Sequence, residues 1–187
     1  MSDFAHGAAA NYEQALANLR RPSEHDANNT LWLRDLNVTL NKLGDAKLRT
    51  EDTVAAEASY DQALITARRL AERDLGNAQW QWDLWFTLYK LGNFRISLGD
   101  RAAARGLYAE GIPIIRRLAT ADPGNVQRQT DLIGSLYRVA SCEDGSDRER
   151  TLKEALAILE RLRAEDKLSP DKIGWPDLIR DMLAFFP

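Results

Sequence analysis

The feature that most constrains this chain is its likeness to itself at a shift of 48 residues. Tyr12, Tyr60 and Tyr108 fall at that interval, as do Arg20-Arg21, Arg68-Arg69 and Arg116-Arg117. So do Asn29, Asn77 and Asn125, the pairs Asp35-Leu36, Asp83-Leu84 and Asp131-Leu132, and the leucines 40, 88 and 136. Lys42, Lys90 and Arg138 align, and Gly44 and Gly92 align with Ala140. After Ala140 the interval shortens to 44, and Leu152, Ala155, Leu156, Leu159 and Leu162 answer Tyr108, Gly111, Ile112, Ile115 and Leu118. A period of this size marks a tandem array. Each unit is too small to bury its own apolar face and needs its neighbours to make a core.

Within each unit the apolar spacing is helical. Leu84, Leu88 and Leu91 form one stripe, and Tyr108, Ile112, Ile115 and Leu118 form another. Asp52 and Asp100 stand where a side chain accepts from the free N–H groups of a first turn. Asp122-Pro123-Gly124-Asn125 separates two helices, and no segment has the pattern of a strand. The expected array alternates B and A helices: B (8–21), A (30–47), B (52–73), A (78–97), B (101–120), A (126–141), B (147–165) and a last A-like helix at about 175–186. Ser169-Pro170-Asp171 also has the signals of a short helix start. The expected organisation is one all-α domain over 1–187. It has units 30–77, 78–125 and 126–170, a half-unit 8–29, and a final helix folding back as a cap or leaving an apolar patch of Leu178, Met182, Phe185 and Phe186. Gly44, Gly92 and Ala140 sit beside the leucine stripe, where a small residue lets two helices approach. Glycine inside a helix costs roughly 1 kcal/mol against alanine, so its recurrence has a packing reason.

Charge and cysteine content narrow the function. Among 187 residues the net charge is −3, unsuited to nucleic acid, which needs a basic surface, and no polybasic stretch suits a membrane surface. A single cysteine, Cys142, allows no internal disulfide and fits a reducing, cytoplasmic setting. The first residues lack a basic and an apolar region of the secretory kind, and no run of about 18 apolar residues occurs.

Leu91-Gly92, Gly99-Asp100, Ala104, Tyr108, Ile112 and Asp122-Pro123 resemble the signature of the tetratricopeptide repeat family. Leu43-Gly44, Asp52, Ala56, Tyr60 and Leu64 repeat it one unit earlier. The resemblance runs from about Tyr12 to Leu162 and departs in unit length, since the family's unit is about 34 residues. It resembles the long-repeat members found in multidomain bacterial signalling proteins. It implies a right-handed α-solenoid of antiparallel helix pairs, with A helices lining a concave groove that holds a protein or peptide. Some members grip a C-terminal carboxylate with Lys, Asn and Arg. By register Asn41, Asp45, Lys90 and Gly134 depart from that set and only Arg138 fits, so such a clamp is not expected.

Residues that recur in every unit are expected to be structural. These include the B-helix arginine pairs and the sets Asp35–Thr39–Lys42, Asp83–Thr87–Lys90 and Asp131–Ser135–Arg138, which suit a ladder of exposed or inter-repeat ion pairs. Trp32 and Trp80, which recur in the first two units, are expected to pack. Residues that break the repeat are the candidates for binding. Trp82, Phe86, Tyr89 and Asn93 share one helix face, where the first unit has Arg34, Val38, Asn41 and Asp45 and the third has Thr130, Gly134, Tyr137 and Ser141. Aromatic rings on a groove are good anchors, though the same spacing also suits burial against a neighbour. Trp85, between the two faces, is expected to pack. The candidate groove set is Trp82, Phe86, Tyr89, Asn93, Asn41, Tyr137 and Arg138.

No catalytic or cofactor motif stands out. His6 and His25 lack a ligand or base pattern, and Cys142 lies beside Glu143 and Asp144, which disfavour a thiolate. The expectation is a non-catalytic adaptor without cofactor or metal. The alternative is a structural or oligomerisation module, a homo-oligomer or a part of a larger bacterial signalling protein, that associates through its terminal helices, with a homodimer through the C-terminal helix as one form of it.

Overall fold

The computed structural model describes the backbone of residues 2–25 and 29–184 and the side chains of residues 6–19 and 29–184. The protein is all-α: α1 (Ser2–His25), α2 (Thr30–Arg49), α3 (Thr53–Arg73), α4 (Ala78–Ser97), α5 (Arg101–Ala121), α6 (Val126–Ala140), α7 (Gly145–Ala164) and α8 (Trp175–Ala184), with a 3-10 turn at Pro170–Lys172. No strand occurs among the described residues. α1 begins earlier than the expected residue 8, because Ala5 and Ala8-Ala9-Ala10 favour helix strongly enough to carry it across Gly7. The expectations for the Arg20-Arg21 and His25 side chains and for Phe185 and Phe186 lie outside the described residues.

The helices group into two compact units, residues 1–97 and 98–187. In the first, successive helices run antiparallel. Gly44 and Asp45 on α2 meet Tyr60 on α3, while Asn37 Nδ2 reaches the Ala63 carbonyl at 2.8 Å. Gln81 at the start of α4 reaches the Ala71 carbonyl near the end of α3, and Arg95 pairs with Glu57. Ala9, Leu16, Leu40, Leu43, Ala46 and Ala63 make a core between α1, α2 and α3, with Tyr12 and Leu36 packed on it. A fully buried leucine is worth about 1.5–3 kcal/mol, so this cluster outweighs the weak propensity of any one helix.

The second unit repeats the construction. Gln129 of α6 reaches the Ala119 carbonyl of α5 at 2.7 Å, the same bond one repeat after Gln81 and Ala71. Glu143 accepts from Thr151, and Arg161 donates to Gln129, so α6 and α7 are antiparallel. Arg180 to Glu160 and Arg163 to Asp177 do the same for α7 and α8. Ile115, Ile133, Leu136, Leu152, Leu159 and Leu162 are buried, as is Ile179 of α8, while Leu178 stays exposed.

The 48-residue period is also written in the connections. Asp52 accepts from Ala55 N–H and Asp100 from Ala103 N–H, as their spacing predicts. The recurring asparagines turn out to be N-caps: Asn29 accepts from Leu31 and Trp32, Asn77 from Gln79 and Trp80, and Asn125 from Arg128. Just before the aspartate caps, Glu51 and Gly99 both take left-handed backbone, with φ of 61° and 80°.

Candidate functional site

Residues of α2 that break the repeat meet recurring polar residues of α4 in one place. Arg34 Nε donates to Asp83 at 2.7 Å. Asn37 and Asn41 both donate through Nδ2 to Thr87 Oγ1, at 3.2 and 2.9 Å. Lys90 pairs with Asp45. Positions 34, 41 and 45 thus face 83, 87 and 90 in the same order, so α2 and α4 run parallel along a polar seam. Asp83, Thr87, Asn37 and Asn41 are buried in it. Thr87 donates onward to the Asp83 carbonyl, so its hydroxyl is available to both asparagines only as an acceptor.

The expected ladder therefore exists only in part. Asp83 and Lys90 form inter-helix ion pairs, but with Arg34 and Asp45, whereas Asp35 and Lys42 are exposed. Burial of Asp83 is balanced by the guanidinium and by Gln79 Nε2 at 2.9 Å. Asp45 also accepts from the Tyr60 hydroxyl at 2.7 Å. Burial first, and then that bond to a carboxylate, push the Tyr60 phenol far above its ordinary pKa.

The aromatic row flanks this seam. Trp82 and Phe86 stack with centroids 5.0 Å apart and planes 13° apart, and Lys90 Nζ lies 5.3 Å from the Phe86 centroid. Trp82, Phe86, Tyr89 and Asn93 are all half-buried, neither fully core nor fully open. Trp85 is buried, with Tyr89 at 5.7 Å, and takes the packing role expected of it. Trp32 and Trp80 are half-buried. Between the seam and the Trp82–Phe86 stack lies a cavity of about 290 Å³ whose walls include Arg34, Asn41, Lys42 and Asp45. A neighbouring cavity of about 190 Å³ adjoins Tyr60, Tyr89 and Asn93.

Asn41 is buried rather than displayed on a surface, with Nδ2 committed to the Asn37 carbonyl and to Thr87 and with Oδ1 lacking a partner. Tyr137 and Arg138 are half-buried on α6, in the second unit. Sequence reasoning overlooked Asn37. The signal was present: one repeat on stands Trp85 and two repeats on Ile133, so an amide occupies a core position.

In the second unit, a cavity of about 500 Å³ adjoins Arg116, Glu154, Gln129 and Arg161. Its charges answer each other, since Arg116 binds Glu154 through two bonds of 3.0 Å. Among the described residues no group of acids, histidines and cysteine is arranged to hold a metal, and no helix is long and apolar enough to cross a membrane.

No protein-family model and no curated protein matches the chain. Among solved structures, the crystal structure of BtubC (BKLC) from P. vanneervenii aligns over 98% of this chain and 93% of that one, at 14% identity and a TM-score of 0.32. A likeness at that level carries no functional argument.

Proposed function

We propose that this protein is a non-catalytic interaction scaffold of tetratricopeptide type, which holds an extended segment of a partner protein against the α2–α4 face of its first unit. The observation that carries the reading is the half-buried Trp82–Phe86–Tyr89 row, which breaks the 48-residue repeat and borders two cavities. Aromatic rings offer large area with few rotors, which makes them efficient anchors. The shared caps and the matching Gln81 and Gln129 bonds support a tandem helical repeat, and a right-handed solenoid is the arrangement we infer for it. A cytoplasmic partner fits the single cysteine, and the net charge of −3 argues against nucleic acid.

The test compares wild type with a Trp82→Ala/Phe86→Ala/Tyr89→Ala variant as baits in lysate of the source organism, after circular dichroism shows that the variant is folded. A partner held by wild type and lost by the folded variant supports the reading. Identical captures by both refute it.

A second reading, self-association through the C-terminal helix, is favoured by the exposure of Leu178 and Ile173. Light scattering decides it: a dimer that disappears on deleting residues 175–187 supports it, and a monomeric full chain removes it.

A further inference from the structure

Two departures from the 48-residue repeat meet in the second unit, on helices other than those of the aromatic row. Where the third repeat has Glu143, the first two have cations, Lys47 and Arg95, which pair with Glu13 and Glu57 of the helix before. By register Glu143 stands to Ala109 as Lys47 stands to Glu13, so the acid of that pair has become an alanine and the cation an acid. Where α5 has Pro113 inside the helix, the earlier repeats have Ala17 and Ile65. Proline has no N–H, so the Ala109 carbonyl finds no helical donor at residue 113. Ala109, Pro113 and Glu143 all line one cavity of about 310 Å³.

The charges around that cavity select its ligand. Thr151 donates to Glu143 Oε2 at 2.8 Å, which orients the carboxylate. No cation pairs with Glu143 among the described residues, and Arg105, which stands where Glu57 does one repeat earlier, makes no bond to it. The two arginines of the cavity are already matched, Arg116 by Glu154 through two bonds of 3.0 Å and Arg150 by Asp147 at 2.9 Å. One negative charge is left over, beside a wall that includes the buried Ile112 and Val139. A half-buried carboxylate without a counter-charge is costly, and a cation relieves it. A cation on an alkyl stem suits such a place, since the stem covers apolar side chains while the head stays at the oxygens. The volume lies near the small end of the range of about 300–1,000 Å³ for ligand pockets, which suits one side chain or a small amine.

We infer that this cavity binds an alkylammonium group, the head of a lysine side chain or of a free amine. The ammonium donates to Glu143 Oε1 and to the Ala109 carbonyl, and its stem lies along Ile112 and Val139. The site is separate from the aromatic face and does not depend on it.

The experiment titrates the isotopically labelled full chain, at matched ionic strength, with three probes: n-butylammonium, N-acetyl-lysine N-methylamide and the uncharged n-butanol. The expected result is saturable shifts of the Glu143 and Thr151 backbone amide signals. At least one ammonium probe binds about tenfold more tightly than butanol, as one charge-assisted hydrogen bond implies. A lysine probe that binds as tightly as butylammonium identifies a lysine side chain as the natural ligand, and binding of butylammonium alone identifies a free amine. Glu143→Gln keeps the acceptor for Thr151 and is expected to abolish the preference for charge. Pro113→Ala supplies an N–H to the Ala109 carbonyl, leaves every charge in place, and is expected to weaken ammonium binding about threefold. The absence of saturable shifts, equal binding of all three probes, or a preference that survives both substitutions overturns the inference.

Discussion

The ring of Tyr60 lies directly against Gly44: a Cβ built at position 44 would stand 2.7 Å from Tyr60 Cε1 and 2.8 Å from Cζ. The ring is buried and its hydroxyl is tied to Asp45, so it has little freedom to withdraw. Alanine would gain roughly 1 kcal/mol of helix propensity and lose about 1–3 kcal/mol to overpacking. On balance of those terms Gly44→Ala is therefore expected to destabilise by about 0–2 kcal/mol. Urea unfolding followed by circular dichroism checks it, and an unchanged midpoint would mean that α2 and α3 separate more easily than this contact implies.

The two halves of the Arg34–Asp83 pair are buried unequally, 38% and 3% exposed at their side chains. Arg34→Ala strands a buried carboxylate with Gln79 as its remaining side-chain partner and is expected to cost about 3 kcal/mol. Asp83→Asn keeps the shape and frees a guanidinium that water can reach, so about 1 kcal/mol is expected. If the order were reversed in paired urea melts, the buried acid would not be the controlling element of the seam.

Glu51 holds the left-handed backbone that Gly99 holds one repeat later. A residue with a Cβ loses about 1–2 kcal/mol there, and glycine gives part of that back through greater entropy in the unfolded chain. Glu51→Gly should raise stability by about 0.5–1 kcal/mol. Thermal melts of the single variant decide it.

Tyr60 gives the fold a sensitivity to alkali. Its folded pKa is raised above the unfolded value of 10.0, so its contribution is complete below about pH 10 and is lost as pH climbs through the folded value. The stability gap between wild type and Tyr60→Phe is expected to be constant from pH 7 to about pH 9 and to shrink at higher pH. Urea midpoints of both proteins at matched pH measure that gap directly.

Much of the fold was legible because the chain states its grammar repeatedly. The expected bounds of α2 to α7 stand within two residues of the observed ones, since caps and breakers such as Asp52, Asp100 and Asp122-Pro123 recur at fixed places. The site was less legible. The row of Trp82, Phe86 and Tyr89 was visible as a break in the repeat, but the depth of its burial depends on neighbours that periodicity does not name. Asn41 illustrates the difficulty: by register it answers Tyr89 of the aromatic face, yet its amide is buried in the seam and donates to Thr87. Asn37 shares a stripe with leucines, and although the repeat register marks its position as core, its partners Ala63 and Thr87 are named only by the fold.

The seam has a further consequence for how successive repeats find each other. The leucine stripes of α2 and α4 are nearly interchangeable, and leucine on leucine tolerates a slide of one helical turn, about 5.4 Å, with little change in contact. The ion pairs do not. A one-turn shift would carry Asp83 away from Arg34 and set Arg34 beside Thr87, leaving an uncompensated carboxylate in the interior at a cost of several kcal/mol. Arg34, Asn37, Asn41 and Asp45 thus work as a ruler, fixing the phase of one repeat against the next where the oily residues alone would leave it ambiguous.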